Sequence, residues 1–301
     1  MNKSPSKKSP FLERYARLGH ELVPTVATGP ALRVNTLATE TSVLLARLEK
    51  RGIKLEKIPF ARDGYWITEA RFSLASTTEY LRGQYYLQDA AAQLPVQVLM
   101  PKPGDVVLDC CAAPGGKTTQ LSQWMENQGV IISLEMAEHR LKSLKSNIER
   151  CGVKNVLAYH ADMQHATFAD IEFDAALVDA PCAGNPASEP GWLERRTLAD
   201  VNHNVPIQRK LLQRAVGLVK KGGVIVYSTC SLEPEENEFV IDWALHNLPV
   251  KCVEPGLDIG EPGLAAPFGK KLHDDITNAR RLWPEQGKNE GFFVAKLVRH
   301  G

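Results

Sequence analysis

No run of hydrophobic residues in the chain is long. Stretches such as Val224–Tyr227 fall far short of the roughly 20 residues that a membrane-spanning helix needs, so no membrane is expected. No apolar stretch follows the lysines Lys3, Lys7 and Lys8, so the start does not read as a secretory signal. Met1–Pro10 reads instead as a short basic arm, either a mobile end or a contact for phosphate. The cysteines (Cys110, Cys111, Cys151, Cys182, Cys230 and Cys252) include no C-x-x-C pair and no matching paired histidines, so neither zinc nor another metal is expected. Without an export signal a disulfide framework is not expected either, and the reading is a cytoplasmic chain with reduced thiols. An excess of one charge is also missing. The 36 Lys and Arg against 35 Asp and Glu leave a net +1, so any surface for nucleic acid must be local and offset by acid elsewhere.

What is present is enough apolar material, 44% of 301 residues, to bury one large domain and one small one. From about Val106 onward, short apolar runs alternate with amphipathic helical stretches, the pattern of βα units around a mostly parallel sheet. Strands are expected at Val106–Asp109, Val130–Leu134, Asn155–Ala158, Ala175–Val178, Val224–Ser228 and Gly291–Leu297. Helices are expected at Thr118–Met125, Ala137–Cys151 and Ile207–Val219, with another opening at Pro234 on the acids Glu235 and Glu236. Residues 1–95 have a different texture. Ala31–Leu37 and Ile53–Pro59 read as strands around a helix at Thr41–Arg51, a small α+β module ahead of a domain spanning 96–301. The stretch Pro186–Asn204 fits neither period.

The segment Asp109-Cys110-Cys111-Ala112-Ala113-Pro114-Gly115-Gly116-Lys117-Thr118 places a tight glycine turn between a strand and a helix N-terminus, where backbone N–H groups can meet a ligand. A nucleotide-triphosphate loop would need glycine where Cys111 stands, and Asp109 would repel the phosphates. A cationic sulfonium ligand with an amino acid tail suits this acid-flanked loop better. Glu135, Asp162 and Asp179 follow successive strands, and ligands of open parallel sheets bind beyond those strand ends. The first is placed for two ribose hydroxyls and the second for an adenine amino group. Any one of these acids is more often a solvated loop residue; three in register with a glycine loop suggest a site.

Cys182, in Asp179-Ala180-Pro181-Cys182-Ala183-Gly184-Asn185, and Cys230, in Tyr227-Ser228-Thr229-Cys230-Ser231, both follow strands and should share that edge. Cys110, Cys151 and Cys252 read as small buried hydrophobes. Carbon 5 of cytosine attacks a methyl donor only after a thiolate has added at carbon 6, so a strand-end cysteine, an acid and a donor pocket together match that chemistry.

The segments DCCAAPGGKTTQL, DAPCAGN and YSTCSLEPEENE resemble the signature motifs of the RNA cytosine-5 methyltransferases of the Nol/Nop/Sun type. ALRVNTL, YYLQDAAAQLP and RRLWPEQGKNEGFFVAKL extend the likeness from about Ala31 to near the end, and the compact form most resembles the archaeal members that act on tRNA. The resemblance implies an α/β, class I (Rossmann-like) fold with a mostly parallel, seven-stranded sheet, and a small N-terminal module that reads RNA. It implies RNA, specifically tRNA, as the partner of a monomeric enzyme, and S-adenosylmethionine as the methyl donor. Cys230 would be the nucleophile and Cys182 would assist release of the product. Asp179 would contact the cytosine ring or the cofactor, with Lys117 positioning it. Cys111, Ala112, Ala113, Pro114, Gly115, Gly116, Lys117, Glu135, Arg140, Asp162 and Asp179 would hold the cofactor. DNA cytosine methylases use the Pro-Cys cysteine as nucleophile instead, which leaves a DNA methylase as one rival and an RNA-binding module with a vestigial cofactor site as another. Ala183 departs from the family, which commonly has serine there.

Overall fold

The computed structural model describes residues 9–22, 29–169, 171–285, 288 and 290–301. Most of the expected basic arm, residues 1–8, lies outside them, and Pro10 is already the first residue of a helix, α1 (Pro10–Arg17).

The N-terminal module is a four-stranded antiparallel sheet in the order β2 (Lys54–Lys57), β3 (Gly64–Glu69), β1 (Ala31–Val34), β4 (Tyr85–Leu87). Leu44 and Leu48 lie one turn apart on α2 (Thr41–Lys50) and are buried against Leu32, Val34 and Ile53. The short helix α3 (Thr78–Leu81) starts at Thr77, whose hydroxyl accepts from the Tyr80 N–H at 3.0 Å.

The second unit opens with α4 (Leu94–Leu99) and carries a mixed sheet. Its parallel part runs β7 (Val156–His160), β6 (Val130–Glu135), β5 (Val106–Asp109), β8 (Phe173–Asp179), β9 (Val219–Thr229). The helices α5 (Gly116–Trp124), α6 (Glu138–Arg150), α7 (Trp192–Arg195), α8 (Leu198–Leu218) and α9 (Glu238–Asn247) supply the connections. Chain order reverses between β5 and β8, the place where such sheets bind ligands. Beyond β9 lies β13 (Phe292–Arg299), antiparallel to it. One end of β13 pairs with β12 (Arg280–Leu282) and the other with β10 (Val250–Val253), while β11 (Glu261–Pro262) pairs with β12. Among the described residues the expected seven strands are nine, because two short strands share the position beyond β13 and a third extends the edge.

One stretch left without a pattern is filled, and one expected helix start needs correction. The stretch 186–204 is largely helical: α7 and the first turns of α8 fall there, the latter behind a capping box between Thr197 and Asp200. The helix expected to open at Pro234 begins only at Glu238. The Glu233, Glu235 and Glu236 carboxylates reach Arg14 and the Ala183 N–H instead of capping their own turn.

The module is fastened to the large sheet by buried polar contacts. Arg33 is fully buried and donates to the Gly116 carbonyl at 2.6 Å, Thr119 Oγ1 at 2.8 Å and Gln88 Oε1 at 2.7 Å. Asn35 Nδ2 donates to the Cys151 carbonyl at 2.9 Å, at the end of α6. Cys110, Cys151 and Cys252 are buried, as expected of small core residues.

Candidate active site

The apolar runs of β5, β6 and β8 stop where the sheet emerges from the core, and each ends in an acid: Asp109, Glu135 and Asp179. Asp162 follows β7 by two residues and Cys230 follows β9 by one. The whole set therefore shares one sheet edge. At that edge Cys182 Sγ and Cys230 Sγ lie 3.3 Å apart. The Cys182 sulfur and burial together push the Cys230 thiol well above its usual range, so it rests as a neutral thiol.

Asp179 is held on both oxygens. Lys117 Nζ donates to Oδ2 at 2.8 Å and Ser228 Oγ donates to Oδ1 at 2.8 Å. Burial alone would lower the Lys117 ammonium, but Asp179 outweighs it and the net shift is upward. Lys117 therefore stays charged beside Asp179. At the end of β5, burial pushes Asp109 up to about 7 against the opposing bond from Thr118 Oγ1, which donates to it at 2.7 Å.

Two cavities meet at Asp179. The larger, ≈ 370 Å³, is bounded by Cys111, Ala113, Glu135, Arg140, Asp162, Asp179, Cys182 and Cys230, among others. That volume lies within the range of small-molecule sites. The smaller, ≈ 180 Å³, is bounded by Cys111 to Pro114, Gly116, Lys117 and Asp179, with Tyr86 and Gln88 from the N-terminal module. Gly115 caps α5 with φ +108°, a backbone conformation that favours glycine. Glu135 is almost fully buried; its Oε1 accepts from the Ala137 N–H at 2.8 Å, and its Oε2 faces Arg140 at 3.6 Å. Arg140 also donates to the Ala113 carbonyl at 2.7 Å, so it ties the glycine loop to that carboxylate. The Asp162 oxygens meet the Gln164 N–H and the His165 ring, each at 2.9 Å. Carboxylates at two strand ends, a glycine turn and a cavity of this size fit a nucleoside bearing an amino acid tail.

The bracing of the cysteine turns was not foreseen, although much of it falls within the motifs. Asn185, fully buried, donates from Nδ2 to the Cys230 carbonyl at 2.7 Å and to the Gly291 carbonyl at 3.2 Å. Ala183 acts through its backbone: its N–H donates to Glu236, and its carbonyl accepts from Trp192 Nε1 at 2.6 Å. Its methyl group packs with Phe11, Trp192 and Leu232, which accounts for an apolar residue in place of the serine. The only warning in the sequence was the position of Asn185 and Glu236 inside quoted motifs.

Comparison with known proteins adds a family. The family described as "16S rRNA methyltransferase RsmB/F" matches residues 96–298, and the "N-terminal domain of 16S rRNA methyltransferase RsmF" matches residues 11–90. The 28S rRNA (cytosine-C(5))-methyltransferase of Mus musculus is 36% identical over 275 residues, which is 89% of this chain and 35% of that protein. Ribosomal RNA small subunit methyltransferase F of Aeromonas salmonicida is 35% identical over 282 residues, covering 90% of this chain and 57% of that one. The chain thus spans about a third and just over half of these two relatives. Among solved structures, a methyltransferase homolog protein from Pyrococcus horikoshii superposes with a TM-score of 0.84 at 40% identity, covering 99% of this chain and 100% of that one. NSun6 from the same organism, solved with SFG, reaches the same TM-score at 24% identity over 99% of this chain and 98% of that one, a likeness of fold.

Proposed function

The chain belongs to the 16S rRNA methyltransferase RsmB/F family, and from that premise we propose that it methylates carbon 5 of a cytosine in RNA. Its fold is that of the class I methyltransferases. The observation that carries the reading is the pair of strand-end cysteines, 3.3 Å apart, on the wall of a cavity that also holds Glu135, Asp162 and Asp179.

Glu135 is the residue for the ribose hydroxyls of S-adenosylmethionine and Asp162 for its adenine amino group, with the loop Cys111–Gly116 beneath and Arg140 steadying loop and carboxylate. Bound there, the cofactor supplies a methyl group on a sulfonium. Cys230, after giving up its thiol proton to solvent, adds as the thiolate to carbon 6 of the cytosine, which makes carbon 5 nucleophilic. Asp179 is paired with Lys117, and its oxygens can accept from the exocyclic amino group of cytosine, where uracil would present an oxygen. Cys182 then assists release: once its own thiol proton has passed to solvent, its sulfur takes the C5 proton, the C5–H electron pair re-forms the C5=C6 bond, and Cys230 leaves with the C6–S pair.

Two readings of the RNA have support. The resemblance of the motifs to archaeal members that act on tRNA favours tRNA, whereas the names of the curated relatives favour ribosomal RNA. Bisulfite sequencing of both RNAs from cells with and without the gene decides between them. The reading expects one or a few cytosines to lose protection when the gene is removed; no such loss in either RNA would contradict it.

A further inference from the structure

Glu236 has no part in the chemistry just described, yet it is fully buried. Its Oε1 accepts from the Ala183 N–H at 3.0 Å, from Asn204 Nδ2 at 2.8 Å and from Gln208 Nε2 at 3.2 Å. Asn204 and Gln208 stand one turn apart on α8, so both amides leave the same face of the helix toward one carboxylate. Gln208 Nε2 also donates to the Pro181 carbonyl at 2.9 Å. The backbone groups on either side of Cys182 are thus both held by a single cluster. The carboxylate at its centre comes from the other loop, six residues beyond Cys230. In the opposite direction, Asn185 of the Cys182 loop holds the Cys230 carbonyl, so each loop grips the backbone of the other.

A plain packing role does not account for a carboxylate here. Burial pushes the Glu236 carboxyl upward, and uncharged donors from Ser231, Asn204, Ala183 and Gln208 oppose that shift. An apolar residue of similar size would avoid the desolvation cost, but it could not accept from three donors at once.

We propose that Glu236 is the positioning residue that sets Cys182 against Cys230 for release of the methylated base, an inference that rests on the cysteine roles given above. Attack and methyl transfer need Cys230 and the cofactor cavity, which other groups hold. Release needs the Cys182 sulfur within reach of the C5 proton, and that is the position Glu236 fixes. Loosening it should therefore slow release selectively, leaving methylated RNA joined to Cys230.

The experiment compares the wild-type chain with Glu236→Ala, Glu236→Gln and Cys182→Ala, each incubated with RNA and S-adenosylmethionine and run on a denaturing gel. Glu236→Ala should slow release roughly tenfold or more, within the ~10²-fold that a 1 Å misplacement can cause, and should give a stable protein–RNA band. Glu236→Gln keeps the volume and one acceptor but sets its own amide against those of α8, so it should give a weaker band. Affinity for S-adenosylmethionine, measured by calorimetry, should stay near the wild-type value in both. A band in Cys182→Ala with none in either Glu236 variant overturns the inference. Lost cofactor affinity without a band overturns it too, because Glu236 would then be only a core residue. If Cys182→Ala itself gives no band, the underlying assignment of the cysteines has failed and the inference falls with it.

Discussion

Glu135 shows how one strand-end acid can be shaped for a ligand. It is 3% exposed, its Oε1 is engaged by the Ala137 N–H, and its Oε2 faces only Arg140, at 3.6 Å. That second oxygen keeps acceptor capacity toward the cavity. Glu135→Ala should weaken S-adenosylmethionine binding by ~1.5–3 kcal/mol, the size of a charge-assisted hydrogen bond. Titration calorimetry measures this directly, and unchanged affinity would mean that the larger cavity holds something else. Asp179 makes the complementary point. Its pairing with Lys117 bridges 62 positions of sequence, and nothing local in either motif forces the two to meet. The parallel register of β5 and β8 brings them to the same edge.

Among the elements, α1 has the least local support and the most specific seat. Phe11 and Tyr15, one turn apart, are buried in the cluster that contains Ala183, Trp192 and Leu232, and the Phe11 ring centroid lies 4.5 Å from that of Trp192. Arg14 on the same helix pairs with Glu233 at 3.0 Å and with Glu235 at 2.7 Å. The helix thus latches the two cysteine turns from behind. Phe11→Ala should lower stability by ~3–5 kcal/mol, as emptying a large aromatic site does, measured as a shift in denaturation midpoint. A shift below about 1 kcal/mol would mean that α1 merely rests on the surface. The sequence offered part of this, since Phe11, Tyr15 and Leu18 fall at helical spacing, but not the seat, because the partners of so short a helix lie far off along the chain. By contrast, β5, β6 and β8 were legible, since each is a buried apolar run ending at an acid. The start of α8 was missed because Pro206 stands inside it and reads as a breaker, although the Thr197–Asp200 cap was visible in principle. The short strands β10, β11 and β12 are two to four residues each and depend on pairing, β10 and β12 with β13 and β11 with β12, so no local pattern marks them.

Across the whole molecule, the N-terminal module and the large sheet behave as one body at the glycine loop. Arg33 holds the Gly116 carbonyl, and Gly83, with φ +65°, packs so closely on the end of α6 that a Cβ there would lie 1.9 Å from the Arg150 carbonyl. Gly83→Ala should force the module away, so that calorimetric unfolding splits from one transition into two. A single, unmoved transition would show that the contact yields at little cost. The central claim, covalent methylation with divided cysteine roles, is tested most directly by trapping Cys230→Ala and Cys182→Ala on RNA with S-adenosylmethionine. The account predicts no protein–RNA band and no methylcytosine with Cys230→Ala, and a stable band carrying methylated RNA with Cys182→Ala. A band that appears in Cys230→Ala and is missing in Cys182→Ala would contradict it, as would methylation that survives in both.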